Sequence, residues 1–145
     1  MDPSHAGVSP DEYVLRRIHK SHYDPTLPLP VTKAAVRPTD ADKTGLSVYL
    51  ERLYRDDPTG ILAQINEAKR GDYYIARVRV ADLLALGLRV LSDEGPQHLP
   101  GHCNIPELNR PEYEANKSRW ADAQKAFAQL LGENIIHPPR PGTGS

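Results

Sequence analysis

Residues 16–25, RRIHKSHYDP, set two arginines, a lysine, two histidines, a tyrosine and an aspartate within ten positions. A guanidinium presents a planar fork of N–H donors that matches a phosphate edge, and a tyrosine face can stack on a base. An imidazole changes charge near neutral pH, so two of them can share proton transfers at a phosphoester. Lys33 and Arg37 follow close behind and enlarge the basic group to Arg16, Arg17, Lys20, Tyr23, Lys33 and Arg37. The chemistry this points to is recognition of an anionic, phosphate-bearing ligand. The plainer outcome is a solvated face whose arginines pair with Asp24, Asp40 and Asp42.

Three further groups bear chemistry. His19, His22, His98, His102 and Cys103 are the residue types zinc prefers. His98 and His102, however, sit in a Pro- and Gly-rich stretch, so they are expected as loop residues with local hydrogen bonds, and no metal is favoured. Cys103 is expected as a small buried residue rather than a nucleophile. Arg77 and Arg79, two positions apart on a strand, share one face and are expected to form salt bridges to Glu67 or Asp72. Glu107, between Pro106 and Leu108, could serve as a general base or steady a cationic ribose; the ordinary role for such a carboxylate is to meet a helix N-terminus.

The elements that must position these groups follow from periodicity and punctuation. EYVLRRI alternates as a strand does, with Tyr13, Leu15 and Arg17 on one side and Val14, Arg16 and Ile18 on the other. The next segment carries Pro25, Pro28, Pro30 and Pro38, which exclude a regular helix and a central strand. It is read as a long loop with a short strand near Lys33 to Arg37, and loops of that length often carry function. Leu46 to Leu50 is read as a strand. Asp57 and Pro58 open a helix whose apolar stripe is Ile61, Leu62, Ile65 and Ala68, closed by Gly71. DYYIARVRV is the strongest strand, with Tyr74, Ala76, Val78 and Val80 on one face and Tyr73, Ile75, Arg77 and Arg79 on the other. ADLLALG makes a short helix, LRVLSD another strand, and residues 94–111 a loop. A last helix runs from Pro111 to about Leu131, burying Trp120, Ala123, Phe127, Leu130 and Leu131. This order gives an α+β domain with a small, mixed or mostly antiparallel sheet and about three helices.

The chain has 145 residues, the size of one domain, and is 39% hydrophobic with 14 prolines. Residues 1–10 read as a disordered lead, 11–137 as the domain and 138–145 as a disordered tail. Eighteen basic residues face nineteen acidic ones, so a dedicated nucleic-acid binder is not expected. One cysteine excludes an intrachain disulfide. With no signal-peptide pattern and no apolar run of membrane length, a cytoplasmic protein without a membrane partner is expected.

The order of features also resembles the RES-domain proteins, small bacterial NAD-degrading toxins with a fold similar to ADP-ribosyltransferases. YVLRRI stands for the family's first strand, Arg37 lies where its arginine would, Gly45 and Tyr49 follow in order, and TGILAQI and IARVRVADLLAL resemble its helix and its later strand and turn. The resemblance covers about residues 12 to 91. It implies binding of NAD or a related nucleotide, with cleavage by a glutamate acting at the ribose. The chain departs from the pattern by carrying Gln64 where the glutamate is expected, which leaves Glu67, Glu51 or Glu107 for that role; Ser47 and Ser92 are candidates for the family's serine. The expected site is therefore Arg17 and Arg37 on phosphates, Tyr23 or Tyr49 on a ring, and Glu67 or Glu107 as the catalytic carboxylate, in a toxin-like or defence-associated domain with a protein partner such as an antitoxin. Two other functions fit the residues. One is a noncatalytic protein-interaction module. The other is a histidine-based phosphoesterase acting on RNA, using His19 or His22 with His102 as acid and base, helped by Lys20.

Overall fold

The computed structural model describes residues 7–38, 45–109, 115 and 117–137. Six strands form one antiparallel sheet: β1 (Tyr13–His19), β2 (Leu46–Leu50), β3 (Tyr73–Arg79), β4 (Leu91–Ser92), β5 (His102–Ile105) and β6 (Ile135–His137), in the order β4-β5-β2-β1-β3-β6. Helix α1 (Val80–Ala85) follows β3 directly, and helix α2 (Lys117–Glu133) precedes β6. The chain is a single small α+β domain with an antiparallel sheet. No helix among the described residues is long and apolar enough to cross a membrane.

The sheet has two unequal faces because its strands alternate. Val14, Ile18, Val48, Ala76, Val78, Cys103 and Ile105 point into the main core, which α2 closes with Trp120, Phe127, Ala128 and Leu131. These four lie at helical spacing and form the buried stripe of α2. Gln124 shares that stripe, and its Nε2 donates to the Val36 carbonyl at 3.1 Å. A buried amide is tolerated there because it is hydrogen-bonded. The opposite face buries a smaller cluster of Leu15, Tyr49, Ile61, Leu62 and Ile75.

Several elements differ from the sequence expectation. Residues 58–72 are two short 3-10 turns, Pro58–Leu62 and Glu67–Asp72, instead of one helix. Asn66 interrupts the run by accepting the Ala68 N–H at 3.0 Å, and Arg70 takes the carbonyls of Ile65 and Ala63; such local bonds compete with helix continuation. Lys33–Val36 is a 3-10 turn rather than a strand. The expected strand of LRVLSD shortens to Leu91–Ser92. His102–Ile105, expected as loop, is a buried strand between β4 and β2. The expected start of the last helix, residues 111–114, lies outside the described residues. So do residues 1–6 of the expected lead and the whole tail, 138–145. Of the lead, Gly7 bridges Leu91, and the Val8 N–H donates to the Val90 carbonyl at 2.9 Å.

Candidate functional site

The seam between β1 and β2 is paired at one end only, at Val14↔Leu50 and Leu15↔Tyr49. Continuing the register would set Arg16 against Val48 and Arg17 against Ser47, but the strands part there. The Arg16 guanidinium fills the gap. Its Nη1 donates to the Ser47 carbonyl at 2.8 Å, and its Nε and Nη2 donate to the Ala35 carbonyl at 3.0 and 2.6 Å. This ties the Lys33–Val36 turn to the split. A cavity of about 400 Å³ opens over the parted strands, lined by Arg16, Arg17, His19, His22, Ala34, Ala35, Arg37, Ser47, Ile65 and Tyr73. Three guanidiniums and two imidazoles thus line one cavity, and no carboxylate is among the described lining residues.

Arg16 is committed to the backbone, so it fixes the shape of the cleft. Arg17 makes a 3.3 Å bond to the Ile61 carbonyl and lies over the Tyr49 ring at 5.4 Å. Neither Arg17 nor Arg37 has a carboxylate partner among the described residues. Asp24 binds Thr26 instead, and Asp40 and Asp42 lie outside the described residues. The His19 and His22 rings stand 6.4 Å apart, and the His19 edge meets Tyr73 at 5.2 Å. The Ser21 N–H donates to His19 Nδ1 at 3.2 Å, so in the neutral ring the proton sits on Nε2. His22 is held below the ordinary histidine pKa by burial, then by His19 and Arg16.

Of the other expected site residues, Tyr23 packs on Tyr74 with ring centroids 4.2 Å apart, away from the cleft. Tyr49 is buried beneath Arg17 and against His102; the aromatic ring that does line the cleft is Tyr73. Glu107 accepts from the Arg89 backbone N–H at 2.8 Å and pairs with its Nε at 2.5 Å. Glu67 is exposed and opens a 3-10 turn. Neither glutamate lines the cavity. Glu51 pairs with Arg77, which lies over the Tyr13 ring, and Arg79 pairs with Asp11 at 3.0 Å. Arg77 and Arg79 therefore make the salt bridges expected of them with other partners, while Asp72 pairs with Lys20 at 3.3 Å.

Behind Ser47 lies a second cluster that the loop expectation for residues 94–111 concealed. Strand β5 brings His102 diagonally across from Ser47, and the two join at 2.9 Å between His102 Nε2 and Ser47 Oγ. His102 Nδ1 lies 3.0 Å from the Asp93 carbonyl and 3.3 Å from its carboxylate Oδ2. His98 stacks on His102 with centroids 3.9 Å apart and planes 9° from parallel, 3.5 Å from Asp93 Oδ2. The donor atoms of Asp93, His98 and His102 lie within 4.8 Å of one another. A metal needs imidazole lone pairs that converge at about 2.1 Å. Those lone pairs lie in the ring planes, and nearly parallel planes do not meet, so the stacked pair as it stands does not form a metal centre. Nothing in the pattern HLPGHC signals the contact with Ser47, which depends on β5 joining β2.

Burial lowers the His102 pKa against the opposing hydrogen bond its Nδ1–H gives to the Asp93 carbonyl. A histidine depressed in the folded state binds fewer protons there than in the unfolded chain. Its contribution to stability is then full above the ordinary value and is lost as the pH falls through the folded one. Urea unfolding midpoints are expected to drop between pH 7.5 and 5.5, and His102→Asn to flatten part of that slope; an unchanged slope in the variant contradicts it. Burial likewise pushes the Cys103 thiol up to about 12. Iodoacetamide is expected to leave native Cys103 unmodified at pH 8 and to alkylate it in urea, read by intact mass.

No family model matches the chain, and neither a curated protein nor a solved structure matches it. The fold and the cleft define an α+β domain with a cationic, histidine-bearing pocket at a split in its sheet.

Proposed function

We propose that the cleft binds a phosphate-bearing nucleotide and that the protein is a histidine-based phosphoesterase acting on RNA or a related nucleotide. The supporting observation is the gathering of Arg16, Arg17, Arg37, His19 and His22 around one cavity with no described carboxylate among its lining residues. An anion entering such a pocket meets donors and, from the described lining residues, no competing negative charge. Arg17 and Arg37 hold the phosphate, and Tyr73 offers a ring beside it. His22, kept neutral by burial, takes the proton of the attacking hydroxyl. His19 returns a proton to the leaving oxygen through Nε2. Lys20, paired with Asp72, stands outside this set.

NAD carries phosphates that suit the same arginines, so nucleotide binding of that kind uses the same cleft. Cleaving its glycosidic bond asks for a carboxylate at the ribose, and the described lining residues supply imidazoles instead. The phosphoester is the bond they serve better.

The test is calorimetric titration with inorganic pyrophosphate, followed by cleavage of a short fluorescent RNA and, in parallel, of NAD. Hydrogen bonds to charged groups contribute about 1.5–3 kcal/mol, so Arg17→Met and Arg37→Met are each expected to weaken pyrophosphate about tenfold or more. RNA is expected to be cut and NAD to persist. Absence of pyrophosphate binding by the wild-type chain sinks the proposal; loss of NAD without loss of RNA turns it toward glycosidic chemistry.

A further inference from the structure

The histidine-based reading leaves one arrangement unused. Ser47 borders the cleft, His102 Nε2 lies 2.9 Å from its Oγ, and Asp93 holds the far side of that ring. A backbone carbonyl only accepts, so the 3.0 Å contact to Asp93 places the imidazole proton on Nδ1. Nε2 then carries a lone pair, and the Ser47 hydroxyl donates to it. Hydroxyl, base and orienting group stand in the relation that activates a serine nucleophile. The ring is well suited to this. It is 4% exposed, stacked on His98 and met at an edge by the Tyr49 ring, and burial lowers its pKa. Arg17 and Arg16 border the same cavity, where negative charge on a phosphoryl group under attack would collect.

We infer that Ser47 is a catalytic nucleophile, with His102 as its base and Asp93 as the residue that positions His102, so that the phosphoester reaction passes through a seryl–phosphate intermediate. This rests on the cleft binding a phosphate-bearing ligand. In the first step the Ser47 Oγ–P bond forms and the P–O bond to the leaving group breaks. The serine proton passes to His102 Nε2, and His19 protonates the departing oxygen. In the second step water gives a proton to His22 and attacks phosphorus; the Oγ–P bond breaks and Ser47 regains its proton from His102; His22 then passes its proton to His19 through solvent, which restores both rings. A substrate 2′-hydroxyl is then unnecessary, so the substrate class widens from RNA to phosphodiesters that lack one.

The experiment uses an alkyl fluorophosphonate, which reacts at an activated serine by forming an O–P bond and releasing fluoride, independently of the natural substrate. Wild-type protein is expected to gain one adduct, mapped by peptide mass spectrometry to Ser47. Ser47→Ala is expected to lose it while still binding pyrophosphate, which shows that the cleft is intact. His102→Asn is expected to slow labelling by about 10²–10⁴-fold, the usual range for removing a general base. Asp93→Asn is expected to slow it less, since the backbone carbonyl remains, and to shift its pH profile. Absence of labelling at Ser47 in a wild-type chain that binds pyrophosphate overturns the nucleophile and leaves the cleft standing. Failure to bind pyrophosphate removes both. Equal labelling of wild type and His102→Asn overturns the role of His102.

Discussion

His22→Ala is expected to lower phosphodiester turnover by about 10²–10⁴-fold, the usual contribution of one positioned acid or base, with pyrophosphate affinity changed far less. His22 borders the cleft 6.4 Å from His19 and accepts no bond from a described side chain. Its depressed pKa keeps it unprotonated below the pH at which an ordinary histidine gains charge. The acidic limb of the wild-type rate profile is therefore expected to fall off only at a pH below that of free histidine. Because phosphorylation of Ser47 precedes the step that His22 serves, the variant is expected still to release one equivalent of leaving group in a burst before turnover stalls. A steady-state rate within a factor of about two of wild type removes His22 from the mechanism.

Gly45→Ala is expected to be the most damaging single change to the site's framework. Gly45 sits just before β2 at φ +142°, a conformation that costs a residue with a side chain about 1–3 kcal/mol. A Cβ there would also lie 2.4 Å from the Ile105 carbonyl oxygen, 2.7 Å from its carbon and 3.0 Å from Pro106 Cα. All three are backbone atoms of a buried stretch, so β2 and β5 must separate to admit it. A loss of about 3 kcal/mol or more is expected, a fall in Tm on the order of 10 °C for a domain of this size. Ser47 lies two residues on and is held to β5 through His102, so fluorophosphonate labelling should fall with it. A variant that melts within about 2 °C of wild type shows that the two strands tolerate the separation.

Much of the fold was legible because alternation reports a strand wherever one face is buried. Tyr13–His19, Leu46–Leu50 and Tyr73–Arg79 are strands in the structure, and the two faces read from β1 and β3 are the two core clusters. His102–Ile105 was not legible. Its alternation of His102 and Asn104 with Cys103 and Ile105 runs for only four residues, too short to stand out as a strand. Its flanking glycine and prolines read as loop. Residues 58–72 failed for the opposite reason: their apolar spacing is helical, but Asn66 and Arg70 satisfy the backbone locally and break the run.

The sequence by itself determined an α+β chain whose basic and imidazole groups gather at the end of its first strand, because residue type and local spacing set charge and element. Only the tertiary structure decided which of them meet. The parting of β1 from β2 brings Arg37 and Ser47 to Arg17, His19 and His22, and the pairing of β5 with β2 sets His102 behind Ser47. Those contacts span up to 55 positions of chain. No local pattern encodes a partner that far away; strand register does, and register is settled by how the whole sheet buries its apolar faces.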